Sequence, residues 1–206
     1  MLEHLNEIKQ IFSDKNVLDL MKLNPGASEE ELLDLEQHLG ISLPEDFKDY
    51  LSVHNGQTGG IEMLFCEPLL TTSEIKQTWT DWYEVGEDGE MNDDCAEFMS
   101  AHPEGYVKPL YTNPKWIAFT TDYGGNHLGL DLDPDVNGTS GQVIIFGRDE
   151  DEKFLVASSF TEFLAMVVRH LKKIKWSVTQ EGWHFSAEEE ALHYHDWIRE
   201  LRKQGD

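Results

Sequence analysis

The sequence predicts an α+β fold: N-terminal helices, a curved antiparallel sheet of about six strands with helices packed on it, and a C-terminal helical extension. Three observations predict it. Helical spacing with capping residues runs from Asn24 to Gly56, β-branched and alternating runs broken by turn residues fill Trp116 to Ala157, and a fresh set of helix signals starts at Ser159.

Residues 1–23 read as an N-terminal helix and linker. Ser28 and Glu31 then form an S-x-x-E capping box, in which hydroxyl and carboxylate each satisfy a backbone N–H left orphaned at a helix start. Leu32, Leu35, Glu36 and Leu39 follow at helical spacing, and Gly40 stands just beyond the helix end. Pro44 occupies the first turn of a second helix, with Glu45 and Asp46 near its positive end and Phe47, Tyr50 and Leu51 as its buried stripe. His54-Asn55-Gly56-Gln57 closes that helix. Gly56 suits a left-handed residue, and the His54 or Asn55 side chains can satisfy nearby backbone groups. A functional reading instead sets these groups, with Asp122 and Asn126, on a shared rim that contacts ligands.

Trp116-Ile117-Ala118-Phe119-Thr120 is a strand-forming run, stopped by Asp122, Gly124, Gly125 and Asn126, which tolerate the positive φ of tight turns. In His127 to Asp133 leucines alternate with polar or small residues, so the next strand is expected to be half exposed. Pro134 ends it, Asn137-Gly138 and Gly141 turn the chain, and Gln142 to Phe146 reads as a central strand. Asp149 to Lys153 turns again, and Phe154-Leu155-Val156-Ala157 is the last strand of the meander. Ser159 with Glu162 opens a helix whose Phe160, Phe163, Leu164, Val167, Val168, Leu171 and Ile174 share one face.

These blocks resemble the SUKH superfamily, which unites fungal Smi/Knr cell-wall-assembly regulators with immunity proteins of bacterial polymorphic toxin systems. The resemblance rests on the G-A-S-E-E-E run from Gly26, the L-G-I-S-L-P-E-D run from Leu39 with Pro44, His54-Asn55-Gly56-Gln57, Trp116-Ile117 and Gly124-Gly125-Asn126. It continues through Leu130-Asp131-Leu132-Asp133-Pro134 and the G-Q-V-I-x-F-G-R-D-E run from Gly141, covering most of Asn24 to Leu171. The passage from Gly138 is similar to the fungal-regulator branch.

No internal repeat suggests a second domain, so residues 24–176 are expected to form one SUKH-like α+β domain with an acidic and aromatic insertion at about 79–103. Residues 177–206 are then a helical extension of the same domain. No apolar run reaches membrane-spanning length, and the N-terminus carries no basic region followed by an apolar one; a cytoplasmic protein is expected. Cys66 and Cys95 sit in no metal or redox spacing and read as ordinary thiols.

Asp plus Glu is 40 against 16 Lys plus Arg, a formal net charge of -24. Such a field disfavours nucleic acid and anionic membrane and speeds capture of basic partners by roughly 10–10³ at low salt. Its bland counterpart is solubility alone. The insertion concentrates the charge: Trp79, Trp82 and Tyr83 adjoin Asp81, Glu84, Glu87, Asp88, Glu90, Asp93, Asp94 and Glu97. Trp82 and Tyr83 would anchor a protein partner, and Glu87, Asp88, Glu90, Asp93, Asp94 and Glu97 would steer it. Otherwise the tryptophans cap the core beneath a solvated loop. Partner specificity is expected here.

No cofactor, metal or catalytic set emerges. Asp133-Pro134-Asp135-Val136-Asn137-Gly138 fits the opening of a calcium loop, but its twelfth position is Ile144 and a hairpin turn explains it equally. In the extension, Ser186 and Glu189 form another capping box ahead of Leu192, His195, Ile198 and Leu201. His184, His193 and His195 offer ligand atoms, but His193 and His195 lie two apart on that helix, point to different faces and cannot easily share one ion, so core or surface histidines are expected. Neither Ser140 nor Ser158 lies in a nucleophile-elbow setting, and Gly124-Gly125-Asn126 precedes a strand where a phosphate cradle would precede a helix.

The expected function is therefore non-enzymatic binding of a basic protein partner, either a toxin domain or a signalling protein. As the resemblance implies, the first expectation is an immunity protein that covers a toxin such as a basic nuclease. The alternative is a Smi/Knr-like regulatory scaffold in cell-wall assembly or signalling. A small-ligand binder or unrecognised enzyme on the concave sheet face stands as a third.

Overall fold

The computed structural model describes residues 1–63, 67–185 and 198–199. The fold is α+β, with helices leading. Helix α1 spans Leu2–Asp14, a 3-10 turn spans Leu18–Met21, and α2 (Glu29–Leu39) and α3 (Glu45–Val53) follow. Next come α4 (Thr72–Gly86) and α5 (Glu90–Cys95), then strands β1 (Ser100–His102), β2 (Trp116–Ala118), β3 (Asn126–Asp131), β4 (Gln142–Gly147) and β5 (Glu152–Ala157). Helix α6 (Phe160–Lys173) and a hairpin of β6 (Trp176–Thr179) and β7 (Gly182–Phe185) complete the described elements.

The expected caps position the helices. At α2 the box closes both ways: Glu31 N donates to Ser28 Oγ at 3.2 Å, and Ser28 N to Glu31 Oε2 at 2.8 Å. Gly40 ends α2 in the left-handed conformation, with φ of 64°. At α6, Ser159 Oγ accepts from Glu162 N at 3.1 Å, while the Asp46 carboxylate reaches across from α3 to accept from Thr161 N at 2.9 Å. One acid of α3 thus caps α6 and fixes the two helices to each other.

The large sheet is mixed and five-stranded, in the order β1-β5-β4-β3-β2, against the six antiparallel strands expected. The difference has a physical source. β1 pairs parallel to β5 and comes from three residues, Ser100, Ala101 and His102, too short to show any alternation. β6 and β7 form a separate two-stranded sheet where the sequence suggested the start of a helical extension. The Ser186–Glu189 capping box, with Leu192, His193, His195 and Leu201, lies outside the described residues, as does Cys66. Within that stretch Ile198 is fully buried.

β3 also departs from expectation, since all six of its residues are buried. The face bearing Leu128 and Leu130 belongs to the main core. Across it, Phe119 meets Phe160 and Phe163 of α6 at 5.3 and 5.4 Å between ring centroids, and Phe47 meets Phe160 at 5.0 Å. Helices α1 and α3 pack onto α6, and Phe12 of α1 touches Trp176 and Trp183 of the hairpin. The opposite face, bearing His127, Gly129 and Asp131, is covered by Trp82 of α4, whose ring lies 6.1 Å from both His127 and Phe146. With β3 and β4 buried throughout, neither strand offers the free concave face that a small-ligand reading needs.

Gly129 marks how tightly this second layer sits. A Cβ there would lie 2.5 Å from Phe146 Cε1 and 2.8 Å from the Ile117 carbonyl oxygen. Gly129→Ala is expected to lower stability by about 1–3 kcal/mol, the usual range for overpacking. Urea unfolding measures it, and an unchanged midpoint would mean that the layer can open at no cost.

Candidate partner-binding surface

Helix α4 starts at a complete capping box, Thr71 with Glu74, in which Glu74 N donates to Thr71 Oγ1 at 3.2 Å and Thr71 N to Glu74 Oε2 at 2.8 Å. Ile75, Trp79 and Trp82 turn towards the protein. Trp79 Nε1 donates to the Pro114 carbonyl at 2.8 Å, and Trp82 packs on Tyr111, His127 and Phe146. Trp82 is thereby half-buried and committed to the layer beneath it. Tyr83 stacks on Trp79 at 5.0 Å and stays 41% exposed, so it is the ring within a partner's reach.

The segment expected as a loop continues as α5. Six residues are too few to hold a helix alone, and a side-chain clasp secures this one: Asn92 Nδ2 donates to the Thr112 carbonyl and Asn92 Oδ1 accepts from Thr112 N, each at 3.0 Å. Gly86 lets the end of α4 close on the same residue, since a Cβ there would sit 2.7 Å from Thr112 Cγ2. Around this anchor Asp81, Glu84, Glu87, Asp88, Glu90, Asp93, Asp94 and Glu97 are all exposed, as the sequence suggested for Glu87 to Asp94. No Lys or Arg occurs between Lys76 and Lys108. Val85, Met91 and Phe98 are exposed among the acids, Phe98 by 63%. A fixed ridge with apolar side chains ringed by carboxylate results.

The motif residues do other work. His54 Nδ1 pairs with the Asn24 carbonyl at 3.0 Å, and burial holds its ring pKa below the ordinary value. Asn55 Oδ1 accepts from Thr72 N at 2.7 Å, and Gly56 (φ 65°) passes so close to Leu70 that a Cβ would lie 2.5 Å from its carbonyl carbon. The buried Gln57 amide donates to the Met21 and Ile61 carbonyls and accepts from Met63 N and Leu69 N. Asp122 Oδ1 accepts from Gly124 N and Asn126 N, and Asn126 reaches on to Asp149, so the turn through Gly124 and Gly125 is closed on itself. The groups of the expected rim, His54, Asn55, Asp122 and Asn126, are thus largely engaged within the fold, on backbone and on one another. His54 Nε2 is buried without a hydrogen-bond partner among the described residues.

Pro44 precedes α3 and rests against Gly141, where a Cβ would meet Pro44 Cγ at 3.2 Å. Asp133 bonds Lys108 Nζ at 2.7 Å and Asn113 Nδ2 at 3.0 Å; partial burial pushes its carboxyl up, but these partners hold it below the ordinary value. The tight turn at Pro134 leaves no room for a Cβ on Gly138, which would lie 2.3 Å from the Tyr106 carbonyl oxygen. Trp116, Asp131 and Gln142 form a row across β2, β3 and β4. The Asp131 carboxylate accepts from Trp116 Nε1 at 3.1 Å, Gln142 Nε2 at 2.8 Å and Asp133 N at 3.0 Å. Burial still raises its pKa to about 6. Among the described residues no group of three His, Cys, Asp or Glu is placed to hold a metal, and no helix is long and apolar enough to cross a membrane.

Residues 26–166 match the SMI1 / KNR4 family (SUKH-1). The chain is 33% identical over 181 residues to a Schizosaccharomyces pombe protein named as a cell wall biosynthesis/cell cycle regulator, covering 82% of this chain and 36% of the relative. It is 30% identical over 203 residues to a Neurospora crassa glucan synthesis regulatory protein, covering 82% and 38%. With the Saccharomyces cerevisiae cell wall assembly regulator it shares 26% identity over 194 residues, covering 78% and 38%. The chain thus spans somewhat over a third of the length of these relatives.

Asp131 gives a pH signature. Its folded pKa of about 6 lies above the ordinary 3.8, so the folded state binds the extra proton between those values and stability falls as pH rises through that window. Urea unfolding of the parent, measured relative to Asp131→Asn, is expected to lose on the order of 2–3 kcal/mol between pH 4 and 6.5. A difference that stays flat with pH would mean that this carboxyl is ionised throughout.

Proposed function

The chain belongs to the SMI1 / KNR4 family (SUKH-1), and we propose that it is a non-enzymatic protein-binding module of the regulatory kind, holding partners in cell-wall assembly or signalling. The α4–α5 ridge carries the reading. Tyr83, Val85, Met91 and Phe98 supply apolar contact area, and the surrounding carboxylates supply a field that draws a basic partner into register. Apolar side chains at the centre of such a patch give affinity, whereas rim charges mainly set the rate of encounter and its salt dependence. The same field works against nucleic acid and anionic membrane.

The relatives' names support regulation over toxin immunity, the first expectation from sequence, because each is called a regulator of wall or glucan synthesis. They also favour binding over catalysis. An acidic surface would equally suit a toxin-neutralising protein, so charge does not separate the two readings, and the preference for regulation rests on the relatives' names.

A domain exchange tests the proposal. Placed in the Schizosaccharomyces pombe regulator in place of its matching region, this chain is expected to restore growth of a deletion strain under wall-digesting enzyme. Asp88→Lys, Asp93→Lys and Asp94→Lys together are expected to reduce that rescue several-fold at equal protein level. A parent chimera no better than the deletion counts against the regulatory reading. Full rescue by the charge-reversed chimera removes the ridge from the interface.

A further inference from the structure

A second feature lies away from the sequence motifs. The loop from Gln57 to Glu62, the segment Pro68 to Leu70, the first turn of α4 and the turn Thr121 to Tyr123 enclose a cavity of about 150 Å³. Gln57 contributes its wall, but its amide is spent on four backbone groups. What remains for a ligand is the carboxylate of Glu62, the second oxygen of Glu74, whose Oε2 caps α4 by accepting from Thr71 N and Thr71 Oγ1, and the ring of Tyr123. Neither carboxylate belongs to any ion pair among the described residues. Tyr123 lines the cavity yet stays 77% exposed, presented by a turn in which its own N–H donates to Thr121 Oγ1 at 3.0 Å.

These groups face one space. Partial burial, followed by the fields of Glu62 and Glu74, raises the Tyr123 hydroxyl above the ordinary tyrosine value. Two carboxylates beside an aromatic face repel anions and match one kind of side chain above others. A guanidinium is planar, forks onto carboxylate, stacks on a ring and is weakly hydrated, whereas an ammonium is a compact and strongly hydrated point charge.

We propose that this cavity receives an arginine side chain of a partner protein, held by Glu62 and Glu74 against the Tyr123 ring. The inference rests on the protein-binding reading above but uses residues outside the α4–α5 ridge. It makes arginine a determinant of partner choice, with the ridge supplying encounter.

The test is a titration of the ¹⁵N-labelled full chain with N-acetyl-arginine methylamide, followed by NMR. Amide shifts are expected to centre on Thr58 to Gly60 and Thr121 to Tyr123 and to saturate in the millimolar range, Kd on the order of 1–10 mM. The uncharged citrulline analogue should give no saturable shifts, and the lysine analogue should bind several-fold more weakly. Glu62→Gln with Glu74→Gln is expected to weaken arginine binding tenfold or more, and the helix start survives because the new amide can still cap α4 through its side-chain oxygen. Tyr123→Ala should weaken it several-fold. Citrulline binding as well as arginine, shifts spread along α4 and α5, or an unchanged double variant would each overturn the proposal. Lysine equal to arginine would overturn the choice of guanidinium. The Asp88, Asp93 and Asp94 charge reversals should leave this titration intact, so failure of the ridge and failure of the cavity are read separately.

Discussion

The row Trp116, Asp131 and Gln142 is the constraint on which the layered arrangement depends. It lies across β2, β3 and β4 in register, and its side chains bond to one another on the face that α4 covers. Because a one-residue slip sends every side chain of a strand to the other face, the row fixes which residues meet Trp82. It also reaches outward. Gln142 Nε2 donates to the Tyr106 carbonyl at 2.8 Å, and the same stretch of chain between β1 and β2 carries Thr112, to which Asn92 of α5 is clasped. A buried carboxylate in the sheet therefore connects, through a few hydrogen bonds, to the position of the acidic ridge. Holding that carboxylate in a buried setting costs stability once it is ionised, and the same burial is what raises its pKa.

The polar motifs obey the same rule of satisfaction. Gln57 is buried with its amide bonded in four directions, and Asn55 clasps the backbone and hydroxyl of Thr72 at the start of α4. Each such group left unpaired in the interior would cost about 1–3 kcal/mol. Groups this fully used have little left for a ligand. The chemistry open to a partner lies with side chains that the fold uses little or only in part: the acids of α4 and α5, Glu62 and Tyr123, and the Glu74 oxygen that does not cap α4.

Most helices were legible because their ends carry chemistry. Ser28, Gly40, Pro44 and Ser159 mark α2, α3 and α6 where the structure has them. Helix α4 was equally marked, by Thr71 with Glu74 and by Ile75, Trp79 and Trp82 at helical spacing, but the density of acids and glycines after Trp82 suggested an insertion loop. β1 carried no signal, being three residues that pair only because β5 offers an edge. Burial of the polar face of β3 was hidden for another reason: the cover, Trp82, comes from far away in sequence, and alternation reports only one strand's own pattern. Exposure of the acids followed from composition. The cavity at Tyr123 did not, since Glu62, Glu74 and Tyr123 come from three separate segments.

The charge of the ridge only partly suits the helix that bears it. Glu90 and Asp93 sit in the first turn of α5, where the helix dipole favours an anion. Asp94 and Glu97 lie at or beyond its other end, where the dipole opposes them. Within the helix, Glu90 and Asp94 are also like charges four residues apart, a pair of the unfavourable kind. A six-residue helix has little intrinsic stability to set against this. The Asn92 clasp to Thr112 holds α5 in spite of its acids. A basic partner laid on the ridge, as proposed above, would relieve the repulsion among these acids as it binds.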